Sequence, residues 1–166
     1  MEQDLKFMTC EDFLKVSVPA MALSETYIGH MEVTETDINW YPQLRWSEFR
    51  DFGDMVYFMF VYGELMKIGK AAGKGGWNGR VGMYKNGIKG DKTNERILRI
   101  MKEINRSKID IYAIKAPREK ISFTNPLTGD IIETEIETAR DIELDLTRQY
   151  LNESTRNQLL FSNQLL

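Results

Sequence analysis

Cysteine and histidine are nearly missing from this chain, with one of each in 166 residues, and proline occurs only four times. A single thiol, Cys10, cannot close an intramolecular disulfide, which excludes a small stapled secreted fold. A single imidazole, His30, excludes a metal site built from several histidines, and its expected place is a surface or packed position. Long apolar runs are missing too. The best, Met55 to Tyr62, has a strand's length and falls far short of the roughly 18 residues that a membrane helix needs. The first residues lack the basic-then-apolar order of a secretory signal, so the expected compartment is the cytoplasm. At 42% hydrophobic, the chain can bury one compact core and is too short for two ordinary domains.

A basic excess is the next absence, since the net charge is −3, which taken alone argues against a polyanionic partner. Its distribution reverses that impression. Residues 1–54 carry −7, residues 63–120 hold 15 Lys and Arg against 6 Asp and Glu, and residues 121–166 carry −5. The middle third is therefore a basic island between acidic flanks. Such an island either solvates helix faces or meets a polyanion, and charge alone does not choose between the two.

The order of elements suits one mixed α/β (α+β) domain. Residues 1–54 read as an N-terminal extension packed on the core, with a short helix near Glu11 to Val16, a strand from Thr26 to Val33, and aromatics at Trp40, Tyr41, Trp46 and Phe49. Met55 to Tyr62 and Leu65 to Lys70 are apolar and β-prone on either side of Gly63, which predicts a hairpin. Thr93 is a good N-cap for an amphipathic helix over Asn94 to Asn105, with Ile97, Ile100, Met101 and Ile104 on one face and Arg96, Arg99 and Lys102 outside it. Ile109 to Ala116 alternates as a third strand. An inserted hairpin follows, Lys120 to Thr124 and Ile131 to Ile136, turned by Asn125-Pro126 and Gly129-Asp130. The last long helix runs from about Glu137 to Leu151, with Ala139, Ile142, Leu146 and Tyr150 spaced to face the core.

Hydrolysing a phosphodiester needs a base for the attacking water, cationic stabilisation of charge on phosphorus, and usually a metal ion. Three clusters offer those groups. Tyr57 precedes Lys67-Ile68-Gly69 by ten residues, and the two side chains share a hairpin face only if the turn holds an odd number of residues; Tyr62-Gly63-Glu64 would do this. Arg80 and Tyr84 lie four apart, so a short helix over Asn78 to Lys85 points them the same way. Glu143 sits beside the apolar stripe of the final helix, with Asp141, Asp145 and Glu137 as rival carboxylates.

This ordered set resembles the GIY-YIG endonuclease superfamily across about residues 55–163, and most of all its small type II restriction endonucleases. Tyr57, in Met-Val-Tyr, takes the place of the first triad's tyrosine, and Lys67-Ile68-Gly69 that of the second triad, with lysine where tyrosine is usual. Arg80 takes the place of the helix arginine, and Tyr84 that of a histidine or tyrosine. Glu143, in Glu-Leu-Asp-Leu, resembles the metal-binding glutamate, and Asn163 the terminal asparagine, with Asn152 and Asn157 as alternatives.

The resemblance implies a small central antiparallel three-stranded sheet flanked by helices, with residues 55–166 as the nuclease core. It implies cleavage of double-stranded DNA with one Mg²⁺ or Mn²⁺ per active site, leaving a 5′-phosphate and a 3′-hydroxyl. Glu143 would hold the metal, Arg80 and Tyr84 would contact the phosphate, and Tyr57 or Lys67 would orient or deprotonate water. Both side chains have unperturbed pKa values near about 10, so the base stays open. Lys70, Lys74, Lys85 and Lys89, with Asn163, are the expected DNA contacts. The favoured role is site-specific restriction by a homodimer matching a palindrome. A phage or mobile-element endonuclease is the alternative, as is a DNA-binding protein without turnover.

Other motifs are decoys. Tyr27-Ile28-Gly29 has no suitable tyrosine triad before it. Gly69 to Lys74 has only three residues between Gly69 and Gly73, and Gly75 stands where a phosphate-binding loop needs serine or threonine. One histidine does not make an HNH nuclease, and no Asp…Glu-x-Lys nuclease triad is evident.

Overall fold

The computed structural model describes residues 27–43, 53–86, 92–153 and 161. The helix expected near Glu11 to Val16, the aromatics Trp46 and Phe49, and Lys89, Asn157 and Asn163 lie outside the described residues.

The most deeply buried strand is β3 (Met55–Val61), whose seven residues are all buried. It pairs antiparallel with β4 (Glu64–Ala71) on one side and β5 (Lys108–Lys115) on the other. Helices cover both faces, and a strand buried on both faces reads as a continuous apolar run without alternation. Its two side-chain sets enter separate cores. Met55, Tyr57, Met59 and Val61 pack with Trp77, Tyr84, Ile97 and Met101, whereas Val56, Phe58 and Phe60 pack with Leu65, Ile68, Ala139, Leu146 and Tyr150. Phe58 and Phe60 are 0% and 1% exposed. Full burial of a side chain this size contributes roughly 1.5–3 kcal/mol, so β3 anchors both layers.

The sheet is wider than the expected three strands. β1 (Tyr27–Val33) pairs with β5, and β2 (Ile38–Pro42) pairs with β1, giving the order β2-β1-β5-β3-β4 with every neighbour antiparallel. The segment before Met55 thus supplies two strands of the main sheet. Met31, Val33 and Ile38 bury there at 1%, 7% and 3% exposure. Their burial is available only through pairing with β5, about 80 residues downstream, a contact no local pattern reveals.

The turn between β3 and β4 also corrects the expectation. It holds two residues, Tyr62 and Gly63, with φ of 52° and 76°, because Val61 pairs directly with Glu64. Positive φ at both central residues is the type I′ geometry that matches strand twist and favours Asn-Gly. A tyrosine there costs about 1–2 kcal/mol of backbone strain. An even turn should have separated Tyr57 from Lys67, but the register slips between Met59 and Phe60: Phe60 opposes Leu65, and Met59 opposes Lys67. The extra residue, Met66, forms a bulge that restores parity, so Tyr57 and Lys67 share a face. Phe161 N–H donates to the Met66 carbonyl at 3.0 Å.

α1 (Gly76–Asn86) and α2 (Lys92–Glu103) lie on the Tyr57 side. α2 buries Ile97 and Met101, with Leu98 and Ile100 partly covered, and ends earlier than expected, leaving Ile104 42% exposed. Asn105, at φ 54°, closes it in a Schellman turn: Arg106 N–H donates to Met101 O at 3.0 Å and Asn105 N–H to Lys102 O at 3.2 Å. α3 (Ala139–Glu153) packs on the opposite face through Ala139, Leu146 and Tyr150. β6 (Glu119–Thr124) and β7 (Ile131–Ile136) form a separate two-stranded hairpin.

Candidate active site

Tyr57 projects from β3 into the layer beneath α1, 1% exposed. Gly69 lies opposite it on β4, and the tyrosine ring fills the space a side chain would take. A Cβ placed on Gly69 would sit 2.8 Å from Tyr57 Cε1 and closer still to Cζ and Oη. The glycine of this triad is therefore set by ring packing, since its backbone φ is ordinary. Gly69→Ala should destabilise the fold by about 1–3 kcal/mol through overpacking, read by denaturant titration. In a Tyr57→Leu background the same change should cost far less; equal costs in both backgrounds would show that the ring is not what excludes a side chain.

Three residues of α1 spaced at i, i+3 and i+7 lie on its Tyr57 side: Trp77 and Tyr84 are buried, and Arg80 between them is half-buried. Tyr84 Oη lies 2.7 Å from Tyr57 Oη. Trp77 meets the Tyr57 ring edge-on at 5.1 Å and the Trp40 ring of β2 at 5.2 Å. Burial pushes the Tyr57 hydroxyl up to about 12, with Arg80 and the Tyr84 hydrogen bond opposing and Glu143 assisting. At neutral pH Tyr57 keeps its proton.

Glu143 approaches from α3, half-buried on the flank of the apolar stripe. Desolvation raises its pKa, opposed in order by Lys67, Lys70, Arg80 and Arg140. Two of those cations, Lys67 and Arg80, belong to the Tyr57 side of the sheet, although the apolar residues of α3 pack on the other. The elements that carry these groups meet at the outer edge of β4, the last strand of the sheet among the described residues, against which α3 packs. There a carboxylate from one face and cations from the other come together.

The rival carboxylates are placed differently. Asp141 is exposed, Asp145 is exposed and accepts from Gln149 Nε2 at 2.9 Å, and Glu137 is ion-paired with Lys70 at 2.6 Å. That pair is half-buried, so Lys70, expected as a DNA contact, is engaged within the protein. Lys74 and Lys85 are exposed, on the glycine loop and in the last turn of α1. The loop is pinned where Gly73 N–H donates to Asp54 Oδ1 at 3.2 Å, while Asp54 Oδ2 accepts from Arg118 Nε at 2.9 Å.

Among the described residues no three His, Cys, Asp or Glu side chains come together. The described residues build no closed structural metal site. A single half-buried carboxylate instead suits a hard cation that keeps most of its water and takes further oxygens from a phosphate.

Two supporting residues carry no motif signal. Trp77 is visible only as a third member of the Arg80 and Tyr84 spacing. Asn94 is 8% exposed, and its Nδ2 donates to Met83 O at 3.0 Å and Tyr84 O at 3.4 Å, tying α2 to the turn that holds Tyr84. An asparagine near a helix start reads as a cap, so this role needs the tertiary structure.

No protein-family model matches the chain, and no curated protein does. Among solved structures, the chain is similar to restriction endonuclease HPY188I in complex with product DNA, with a TM-score of 0.49 and 17% identity over 89% of this chain and 82% of that one. It is also similar to a mutant of bacteriophage T4 EndoII, with a TM-score of 0.45 and 26% identity over 78% of this chain and 90% of that one.

Proposed function

We propose that this chain is a metal-dependent DNA endonuclease of the GIY-YIG kind, acting on double-stranded DNA as a site-specific restriction enzyme and as a homodimer. The observation that carries the reading is the convergence at the β4 edge: half-buried Glu143 set among Lys67, Arg80 and Arg140, beside the hydrogen-bonded Tyr57–Tyr84 pair. Structural ion pairs seldom gather several cations around one partly desolvated carboxylate. A site that receives a phosphate and a divalent cation needs that mixture.

The roles follow from the chemistry of each group. Arg80 binds the non-bridging oxygens of the scissile phosphate and offsets charge as the phosphorane develops. Tyr57, holding its proton, donates a hydrogen bond, and Tyr84 fixes the direction of its hydroxyl. Lys67, once its ammonium has lost a proton to solvent, takes the proton from the attacking water in line with the leaving 3′-oxygen. The P–O3′ bond breaks, the 3′-oxygen gains a proton from solvent, and the 5′-phosphate stays on the other strand end. Glu143 would hold one Mg²⁺ or Mn²⁺, and the ion would supply Lewis-acid stabilisation of charge on the phosphate and the leaving oxygen.

Supercoiled plasmid incubated with the protein and Mg²⁺ should become nicked and linear, with ends that ligase reseals. DNA that stays intact with Mg²⁺ and with Mn²⁺, while the protein still shifts it on a gel, would leave a binding protein without turnover.

A further inference from the structure

Tyr62 is 80% exposed at the tip of the β3–β4 hairpin, where the backbone geometry favours asparagine. The Arg106 guanidinium carbon lies 3.6 Å from its ring centroid. The Schellman turn that ends α2 aims Arg106 there, and Ser107, next in the chain, is held by Val33 N–H donating to its carbonyl at 2.7 Å. Beside the pair lies a groove of about 490 Å³, walled by Asn105, Ser107, Lys108 and Asp110. A strained, exposed aromatic under a fixed cation is a costly arrangement for a loop tip with no binding task.

We propose that the Tyr62–Arg106 tip is a second contact with duplex DNA, outside the cleavage centre; this rests on the reading of the chain as a DNA endonuclease. The stack uses the face of the guanidinium and leaves its N–H edge for a phosphate. The groove offers amide, hydroxyl and ammonium donors and one carboxylate, Asp110, around one aromatic ring, and no aliphatic side chain is among these lining residues. Lys108, 58% exposed, pairs with Asp110 at 3.6 Å, so the cation that the tip presents is Arg106. Five residues along β3 separate Tyr62 from Tyr57, about 17 Å in an extended strand. One duplex turn spans about 34 Å, so a single DNA can touch both places.

The test uses Tyr62→Asn and Arg106→Gln in the full chain, with fluorescent duplex DNA and plasmid cleavage. Tyr62→Asn creates the favoured Asn-Gly turn, so its melting temperature should equal or exceed that of wild type. Duplex affinity should fall by about tenfold or more in each variant, the loss appearing in KM more than in kcat. Arg106→Gln should also lower the slope of log affinity against log salt by about 1. Wild-type affinity and KM in either variant, with the parent protein cutting normally, would overturn the tip contact and leave the endonuclease reading intact. A loss confined to kcat would move the pair into the chemistry and overturn it likewise. A wild-type protein that neither binds nor cuts DNA would sink both.

Discussion

Replacing Glu143 with glutamine should abolish cleavage and leave duplex binding in place, while the variant melts at or above the wild-type temperature at neutral pH. The rate should fall by about 10³-fold or more, the scale on which removal of a charge-stabilising group acts. The gain in stability follows from the desolvation that raises the Glu143 pKa. A group whose folded pKa is raised binds its proton more tightly when folded, so its ionised form costs stability above that pKa. The cost is relieved as pH falls through it. Glutamine has the shape without the charge. Metal binding needs the ionised form, so wild-type kcat/KM should decline on the acid side at a pH above the ordinary glutamate range. If Glu143→Gln cuts at near wild-type rate while Asp141→Asn or Asp145→Asn is dead, the metal carboxylate lies elsewhere on α3.

How much of this was legible in the sequence depended on whether a contact was local. The hairpin, the apolar stripe of α3 and the buried face of α2 are written in periods of two and 3.6, because each element's own spacing selects the residues it buries. Sheet width is not local. Thr26 to Val33 reads as a strand, but only pairing with β5 makes it part of the main sheet, and a bulge between Tyr27 and Gly29 interrupts its alternation. The shared face of Tyr57 and Lys67 was expected from a three-residue turn. It comes from a two-residue turn plus the bulge at Met66, for which an apolar run gives no sign.

The site divides along the same line. Arg80 and Tyr84 share a helix face by spacing alone, whereas separating Glu143 from Asp141, Asp145 and Glu137 requires knowing which of them faces β4. Lys70 shows the reverse case. It belongs to the basic island by charge count, yet its partner Glu137 lies 67 residues away and draws it into the protein. Net charge locates a basic surface, but cross-chain pairing decides which of its cations remain for a polyanion.

Lys67→Met should lower the cleavage rate by about 10² to 10⁴-fold, the cost of losing a general base or a charge-stabilising group, with the fold retained. Methionine keeps the bulk beside Met59 and Met66, so lost packing should be small, and a thermal melt checks it. The charge of Lys67 also helps keep Glu143 ionised, as the first of the cations that oppose its desolvation. Two roles therefore predict different pH profiles. If Lys67 only supports Glu143, its removal raises the Glu143 pKa further, and raising the pH should restore the ion and most of the rate. If Lys67 takes the proton from water, no pH restores the rate, and the rise in wild-type activity that accompanies formation of the neutral amine disappears from the variant. Tyr57 offers no substitute, because burial pushes its hydroxyl up to about 12. A folded Lys67→Met protein that regains wild-type cleavage at higher pH would make Lys67 an electrostatic support, and the base would have to come from the solvent or the DNA itself.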